Sequence, residues 1–283
     1  MKRMKKVLAL VLALALAVSM TACSGSKDTG SSQAASGDSS QASASSASDT
    51  SLADVQKAGV LRIGLEGDWQ PFSFHDENDD LVGYDVEVAQ NVAKQLGVKA
   101  EITEAPWDGL LTGLSTGVYD VVVNGVDVTD ERKTAFDFSD AYAYDHIDLV
   151  TLVGNDDIKS FDDLKGRTSA NSTGSTYAEI GEQYGATVSN VPTLAETMTL
   201  VLNGTVDATI NADTSVQDYL NTTGETKLQV VAQLDDVTEY AIPVKKGNVT
   251  LRDAINEALK TLRDDGTLSE LSIKYFGADL TNK

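Results

Sequence analysis

VKAEITEAPWDGLLTGLSTGVYDVVVNGVDVTDER, Val98 to Arg132, is the stretch whose reading decides the fold. Val98 to Thr103 alternates as a strand does. Pro106 then opens a helix that carries Trp107, Leu110, Leu111 and Leu114 on one side. Tyr119-Asp120-Val121-Val122-Val123 is a second β-like run, and it stops at small polar residues. Upstream, Val60 to Glu66 reads as a buried strand. Phe72 to Phe74 and Leu81 to Tyr84 flank an Asp/Glu/Asn turn as a hairpin would. Asp85 is placed to cap a helix whose inner face is Val86, Ala89, Val92, Ala93 and Leu96, with Gly97 as its stop. Strand, helix, strand, helix, strand within about seventy residues predicts α/β architecture with a largely parallel sheet. Ligands of such sheets bind beyond the carboxyl ends of the strands. Glu66, Trp69 and Asn124 all fall just past strand ends and are expected to face one cleft, with Trp69 carried outward on a loop that Pro71 keeps from continuing as strand.

Asn124 to Arg132, NGVDVTDER, adds chemistry to that edge. Thr129 or Asp130 is suited to cap the following helix, whose free amides attract an anion. Arg132 offers a planar fork that matches a carboxylate, and Asp127 places a negative charge within reach of the same spot. A guanidinium and a carboxylate side by side suit both ends of a zwitterion. The plainer alternative is a surface turn in which Arg132 pairs with Asp130 or Glu131.

A second alternating set begins near Ile147. Strands are expected at Asp148–Val153, Arg167–Ala170, Thr187–Val191 and Val206–Ile210. Helices are expected at Ser160–Leu164, from Ser175 and Thr176 through Tyr184, and at Leu194–Leu202. Asn211-Ala212-Asp213 reads as a polar strand end, followed by strands Leu228–Ala232 and Glu239–Val244. Two amphipathic helices, Val249–Asp264 and Leu268–Phe276, close the chain. Crossings near Tyr144–Asp148 and Asp235–Ala241 would join two α/β lobes around a small molecule.

The first fifty residues are not part of that fold. Lys2, Arg3, Lys5 and Lys6 precede the apolar run Val7–Val18 and then Ser19-Met20-Thr21-Ala22-Cys23, the pattern of a secretory signal. The run is shorter than the roughly 20 apolar residues of a membrane span. Small residues directly before the chain's only cysteine resemble a lipoprotein signal, with Met20 where leucine is usual. That resemblance implies cleavage before Cys23 and a diacylglyceryl anchor on its sulfur. The alternative is an ordinary secreted protein with a free thiol. A single cysteine excludes an internal disulfide. Ser24 to Ser51 holds nothing apolar larger than alanine and reads as a flexible tether reaching on the order of 30 Å. The chain carries 22 basic and 43 acidic residues, and loss of the four basic residues of the leader leaves it more acidic still. Such a surface repels nucleic acid and anionic headgroups, which argues against a nucleic-acid-binding role.

Taken together, Leu61-Arg62-Ile63-Gly64, Pro71-Phe72-Ser73-Phe74, Gly83-Tyr84-Asp85-Val86, Trp107-Asp108-Gly109-Leu110, Thr129-Asp130-Glu131-Arg132, Asp137-Phe138-Ser139, Asp265-Gly266-Thr267 and Lys274-Tyr275-Phe276-Gly277 resemble the polar amino-acid-binding proteins of ABC importers. The likeness runs from about Ala53 to Phe276. It implies a bilobal periplasmic-binding-protein fold of type II with a two-segment hinge. Residues 1–22 would be the leader and 23–51 the lipidated tether. Residues 52–145 with 240–283 would form lobe 1, and 146–239 lobe 2. Val244 to Phe276 would pack back on the first lobe.

The same resemblance implies site roles. Arg132 matches the clamp on the ligand α-carboxylate, and Ser175 and Thr176 the second-lobe helix start that closes on it. Asn124 and Gly125 match the backbone shelf, Trp69 and Trp107 the walls around the ligand side chain, and Glu66 the acidic floor. Two departures stand out. Ala212 replaces an Asp that holds the ligand ammonium in many relatives, with Asp213 one place later. Asp127 stands where Ser or Thr is common, so the ammonium partner is expected at Asp127, with Asp213 as the alternative. One cation against Asp127 and Glu66 disfavours an anionic ligand side chain, and two tryptophans with polar loop residues suit a neutral polar or sulfur-containing one. The run Asp207-Ala208-Thr209-Ile210-Asn211 resembles the cystine-binding branch, while lysine or arginine remains open through Glu66 or Asp68.

The resemblance further implies a monomeric binder at the extracellular face of the cell membrane. It would deliver a free amino acid to a membrane permease served by a separate ATPase, with no cofactor, no metal and no chemical step. The rivals are a sensory binding protein and a dehydratase-like enzyme on the same scaffold. For the enzyme only His75 and His146 are available as bases, the first in a charged turn and the second at a crossing. No metal-spaced cluster, phosphate loop or nucleophile elbow accompanies them.

Overall fold

Val121, Val122 and Val123 show how the first lobe is layered. Val121 and Val123 enter the main core, and Val122 enters a smaller core with Leu110, Leu114 and Phe136 on the opposite face. A period of two along a strand requires this split. The computed structural model describes residues 49–283. The leader, Cys23 and residues 24–48 of the tether lie outside the described residues.

The first lobe comprises α1 (Ser51–Ala58), β1 (Val60–Leu65), β2 (Asp68–Trp69), β3 (Ser73–His75), β4 (Leu81–Val82), α2 (Tyr84–Gln95), β5 (Lys99–Glu104), α3 (Trp107–Thr116), β6 (Val121–Val122), α4 (Asp130–Ala135) and β7 (Phe136–Phe138). The chain crosses on β8 (Ala143–Asp145). It then builds β9 (Ile147–Leu152), a 3-10 turn at Phe161–Leu164, β10 (Thr168–Asn171), α5 (Thr176–Gln183), β11 (Thr187–Asn190), α6 (Leu194–Leu202), β12 (Ala208–Ala212), α7 (Asp213–Thr223) and β13 (Leu228–Gln233). It returns on β14 (Thr238–Tyr240) and ends with β15 (Pro243–Lys245), α8 (Val249–Asp264) and α9 (Thr267–Phe276).

Both five-stranded sheets have one plan, β5-β1-β6-β15-β7 and β11-β10-β12-β9-β13. In each, a single strand, β15 or β9, runs against the other four. β8 and β14 pair antiparallel to form the two-stranded connection between the sheets. Returning β15 inserts between β6 and β7, and α8 covers the first sheet through Leu251, Ile255, Ala258, Leu259 and Leu262. These fall on one stripe of the helix, and each large apolar side chain so buried contributes about 1.5–3 kcal/mol. Among the described residues, no helix is long and apolar enough to cross a membrane.

The structure departs from the sequence reading at five places. Ser51 already belongs to α1, because Asp49 accepts from the Ser51 N–H at 2.9 Å and from the Thr250 N–H at 2.6 Å, and so ties the starts of α1 and α8 together. Asp85 does not cap α2. Gly83, at φ 134°, takes that place, and Asp85 turns inward, fully buried, to accept from the Tyr142 hydroxyl at 2.7 Å. The run Glu239–Val244 is two strands, interrupted where Ala241 and Ile242 leave the connection for the first sheet. Helix α7 carries only Ser215 and Val216 as buried residues and is rich in Thr, Asp and Asn, so neither its period nor its propensity announces it. Trp69 is buried in the cleft, its ring stacked 4.2 Å from that of Phe72.

Candidate ligand-binding site

The parallel strands of both lobes point their carboxyl ends at one cavity. Glu66, Asp68 and Trp69 follow β1, and Asn124, Gly125 and Asp127 follow β6. Trp107 opens α3. Ser172 and Ser175 follow β10, Thr176 and Tyr177 begin α5, Pro192, Thr193 and Leu194 follow β11, and Asn211 lies near the end of β12. Gly125 sits where only glycine fits. Its φ is +48°, and a Cβ there would lie 2.6 Å from the Trp69 ring.

Arg132 is placed by local chemistry. Thr129 caps α4, its hydroxyl accepting from the Arg132 N–H at 3.1 Å. The guanidinium is buried. Nη1 donates to the Asp127 carbonyl at 3.2 Å and stands 3.6 Å from Asp127 Oδ1. Nη2 donates to the Gly174 carbonyl in the other lobe at 3.3 Å, and the group lies 5.2 Å over the Trp107 ring. Asp130, a candidate partner in the plainer reading, pairs with Lys133 instead. The guanidinium lies behind Asp127 and Trp107 rather than on the cavity wall itself. Asp127 is buried, and the Thr176 hydroxyl donates to its Oδ2 across the cleft. Burial raises the Asp127 carboxyl above its ordinary value, while Arg132 and Thr176 oppose the shift.

The other expected residues divide. Glu66 lies on the cavity wall and is also a brace: its N–H donates to Asn124 Oδ1 and its Oε2 accepts from Asn124 Nδ2, both at 2.8 Å. Burial pushes its carboxyl up to about 7, against the bonds from Asn124 and the Trp107 N–H. Ser175 caps α5, accepting from the Ala178 N–H and donating to the Ser172 carbonyl. The Gly125 N–H donates to the Tyr142 hydroxyl within the first lobe. Thr129 and Asp213 do not line the cavity; Asp213 begins α7 and accepts from Gln217. Ser172, Tyr177, Pro192, Thr193, Leu194 and Asn211 line the cavity and are not named as site residues by the sequence. Asn211 accepts from Trp69 Nε1 at 3.4 Å across the cleft, and the Tyr177 hydroxyl lies 3.2 Å from that of Tyr240 on the connection. Asn211 was within reach of the strand-end rule applied to Glu66; Tyr177 carries no such signal. Among the described residues, no group of three or more His, Cys, Asp or Glu could hold a metal ion.

Walls drawn from both lobes, a buried ion pair at one side and indoles around the rest define a two-lobed receptor for a small polar solute. The chain belongs to the bacterial extracellular solute-binding proteins, family 3, whose model matches residues 61–278. It is 40% identical over 224 residues to the L-cystine-binding protein TcyA of Bacillus subtilis, covering 79% of this chain and 83% of that one. Among solved structures, an ancestral arginine-binding protein bound to arginine is 36% identical with a TM-score of 0.73, covering 77% of this chain and 99% of that one. The L-cystine solute receptor of Neisseria gonorrhoeae, in its unliganded open conformation, is equally identical at 36% but has a TM-score of 0.56, covering 82% and 99%. Trp69, Asp127 and Arg132 each make a hydrogen bond across the cleft here.

Proposed function

We propose that this chain captures a free polar amino acid between its lobes and presents it to a membrane permease driven by a separate ATPase subunit. It acts as a monomer held at the extracellular face by a lipid on Cys23. The observation that carries the reading is the buried Asp127–Arg132 pair, which meets Thr176 and Gly174 of the other lobe. On binding, Arg132 takes the α-carboxylate and Asp127 the α-ammonium, while Ser175 and Thr176 complete the shell as the lobes close. No side chain is asked to transfer a proton or form a bond to the ligand.

Glu66 and Asp68 line the same cavity and, among the described residues, no basic side chain does. A ligand with a second ammonium therefore suits the far end. L-Cystine brings a second ammonium, beside a second carboxylate, and the 40% identical relative is named as an L-cystine-binding protein; lysine brings a second ammonium and arginine a guanidinium. Isothermal titration against cystine, arginine, lysine, glutamine and glutamate tests the ligand. Cystine is expected to bind tightest and glutamate not at all. Tight glutamate binding, or no binding by any of the five, would overturn the reading. Asp127→Ala is expected to abolish binding and Asp213→Ala to spare it; the reverse pattern would move the ammonium site to the second lobe.

A further inference from the structure

Gly83, Tyr84 and Asp85 form the start of α2 and line no part of the cavity, yet they hold two segments that do. The first is the loop that carries Trp69. The Tyr84 N–H donates to the Pro71 carbonyl at 3.1 Å, and the Asp85 N–H to the Phe72 carbonyl at 2.9 Å. The approach is so close that a Cβ at Gly83 would collide with the Phe72 carbonyl oxygen. The second segment is the shelf at Gly125, reached through Tyr142. The Tyr142 hydroxyl donates to Asp85 Oδ1 at 2.7 Å and accepts from the Gly125 N–H at 3.1 Å. The Tyr142 carbonyl accepts from the Tyr84 hydroxyl at 2.9 Å, so both ends of that tyrosine are fastened to the start of α2.

The direction of these bonds is fixed. A backbone N–H can only donate, so the Tyr142 oxygen accepts from Gly125 and its single proton goes to Asp85. Asp85 and Tyr142 have no exposed surface, and Asp85 Oδ2 is buried with no donor among the described residues. A buried carboxylate with so few bonds is costly to keep. What it supplies is placement: the Gly125 N–H is turned into the lobe, toward Tyr142 and away from the cavity. Gly125 in turn sets the depth of the Trp69 indole, since a Cβ there would lie 2.6 Å from that ring, and Trp69 reaches Asn211 of the other lobe.

We infer that Asp85 and Tyr142 are positioning residues of the ligand site: the chain from Asp85 through Tyr142 to Gly125 fixes the shelf peptide and, through it, the indole that walls the ligand. Neither residue touches the ligand. The effect on affinity rests on the reading of the cavity as an amino-acid site; the effect on Gly125 does not. Loosening the chain changes affinity through Gly125 and Trp69, with the fold retained.

Nuclear magnetic resonance of the full chain reads the shelf directly. Asn-Gly occurs twice, at Asn124-Gly125 and Asn203-Gly204, so carbonyl-labelled asparagine with nitrogen-labelled glycine leaves two amide signals, and Asn203→Ser removes one to assign them. Tyr142→Phe keeps the ring and removes the hydroxyl. Without ligand, its Gly125 amide proton is expected to move upfield and exchange faster with solvent, with Gly204 unmoved. Calorimetry with L-cystine is expected to show about 5–10-fold weaker binding. Asp85→Asn keeps an oxygen for the Tyr142 hydroxyl, so it is expected to hold the wild-type Gly125 signal and an affinity within ~threefold of the wild type. Should Tyr142→Phe not fold because Asp85 is left without its donor, the double variant Tyr142→Phe/Asp85→Leu removes both partners. It is expected to melt near the wild type while Gly125 stays shifted and binding stays weakened. An unmoved Gly125 signal in either folded variant, or a lowered melting temperature with wild-type affinity, would overturn the assignment and leave Asp85 a brace of the fold. If neither cystine nor any of the other four amino acids binds the wild type, the proposed function fails, while the amide signal still decides whether the chain holds the shelf.

Discussion

The two lobes share a strand order and yet bring different chemistry to the cleft. The first supplies every ionic side chain on or directly behind the cavity wall, Glu66, Asp68, Asp127 and Arg132, together with both indoles. The second supplies hydroxyls, an amide and a phenol: Ser172, Ser175, Thr176, Asn211 and Tyr177. Charged groups carry the larger desolvation cost and the stronger directional bonds. On the proposed reading the first lobe selects the ligand, while the neutral groups that the second lobe brings to the cavity seal it in with bonds that are individually modest and easily reversed. One topology serves both tasks because function sits in the loops beyond the strands and not in the sheet.

Substitutions can break or sharpen that division. The largest effect is expected for Arg132→Ala, which removes the carboxylate fork and leaves Asp127 buried without its partner. Affinity measured by calorimetry should fall by about 100-fold or more, and melting should show a loss of roughly 3–5 kcal/mol. Thr176→Val tests the other lobe. It keeps the shape and removes one donor to Asp127, so affinity should fall only about 5–10-fold. If the two variants proved equal, the division of labour between lobes would be wrong. The smallest effect on binding is expected at Asp49→Ala. Losing a cap shared by two helix starts should cost about 1–2 kcal/mol, lowering the melting temperature by ~2–8 °C, with affinity unchanged.

What could be read in the sequence was local or periodic. Thr129 stands three residues before Arg132, so the cap that positions the guanidinium lies in one short run, and it forms as expected. The stripe Leu251, Ile255, Ala258, Leu259 and Leu262 likewise names its own buried face. Partners brought from afar were not legible. Asp85 has the look of a cap, but Tyr142, 57 positions later, supplies the hydroxyl that draws it inward. Asp49 looks like the end of a polar tether, and its role depends on Thr250, 201 positions on. Glu66 was expected at the cavity, whereas its bracing of Asn124 needed the register of β1 beside β6. The extent of helix α7, which the sequence marks only at Asp213, was not legible for a different reason: its inner face is two residues wide, and the rest of it competes with the backbone for hydrogen bonds.

The clasp at Asp49 fastens the start of the described chain to the first lobe. It lies with Lys246, Gly247 and Asn248 just past β15, at the edge of the first sheet from which β6 sets out rather than the edge it offers to solute. The second lobe, reached through β8 and β14, takes no part in that clasp.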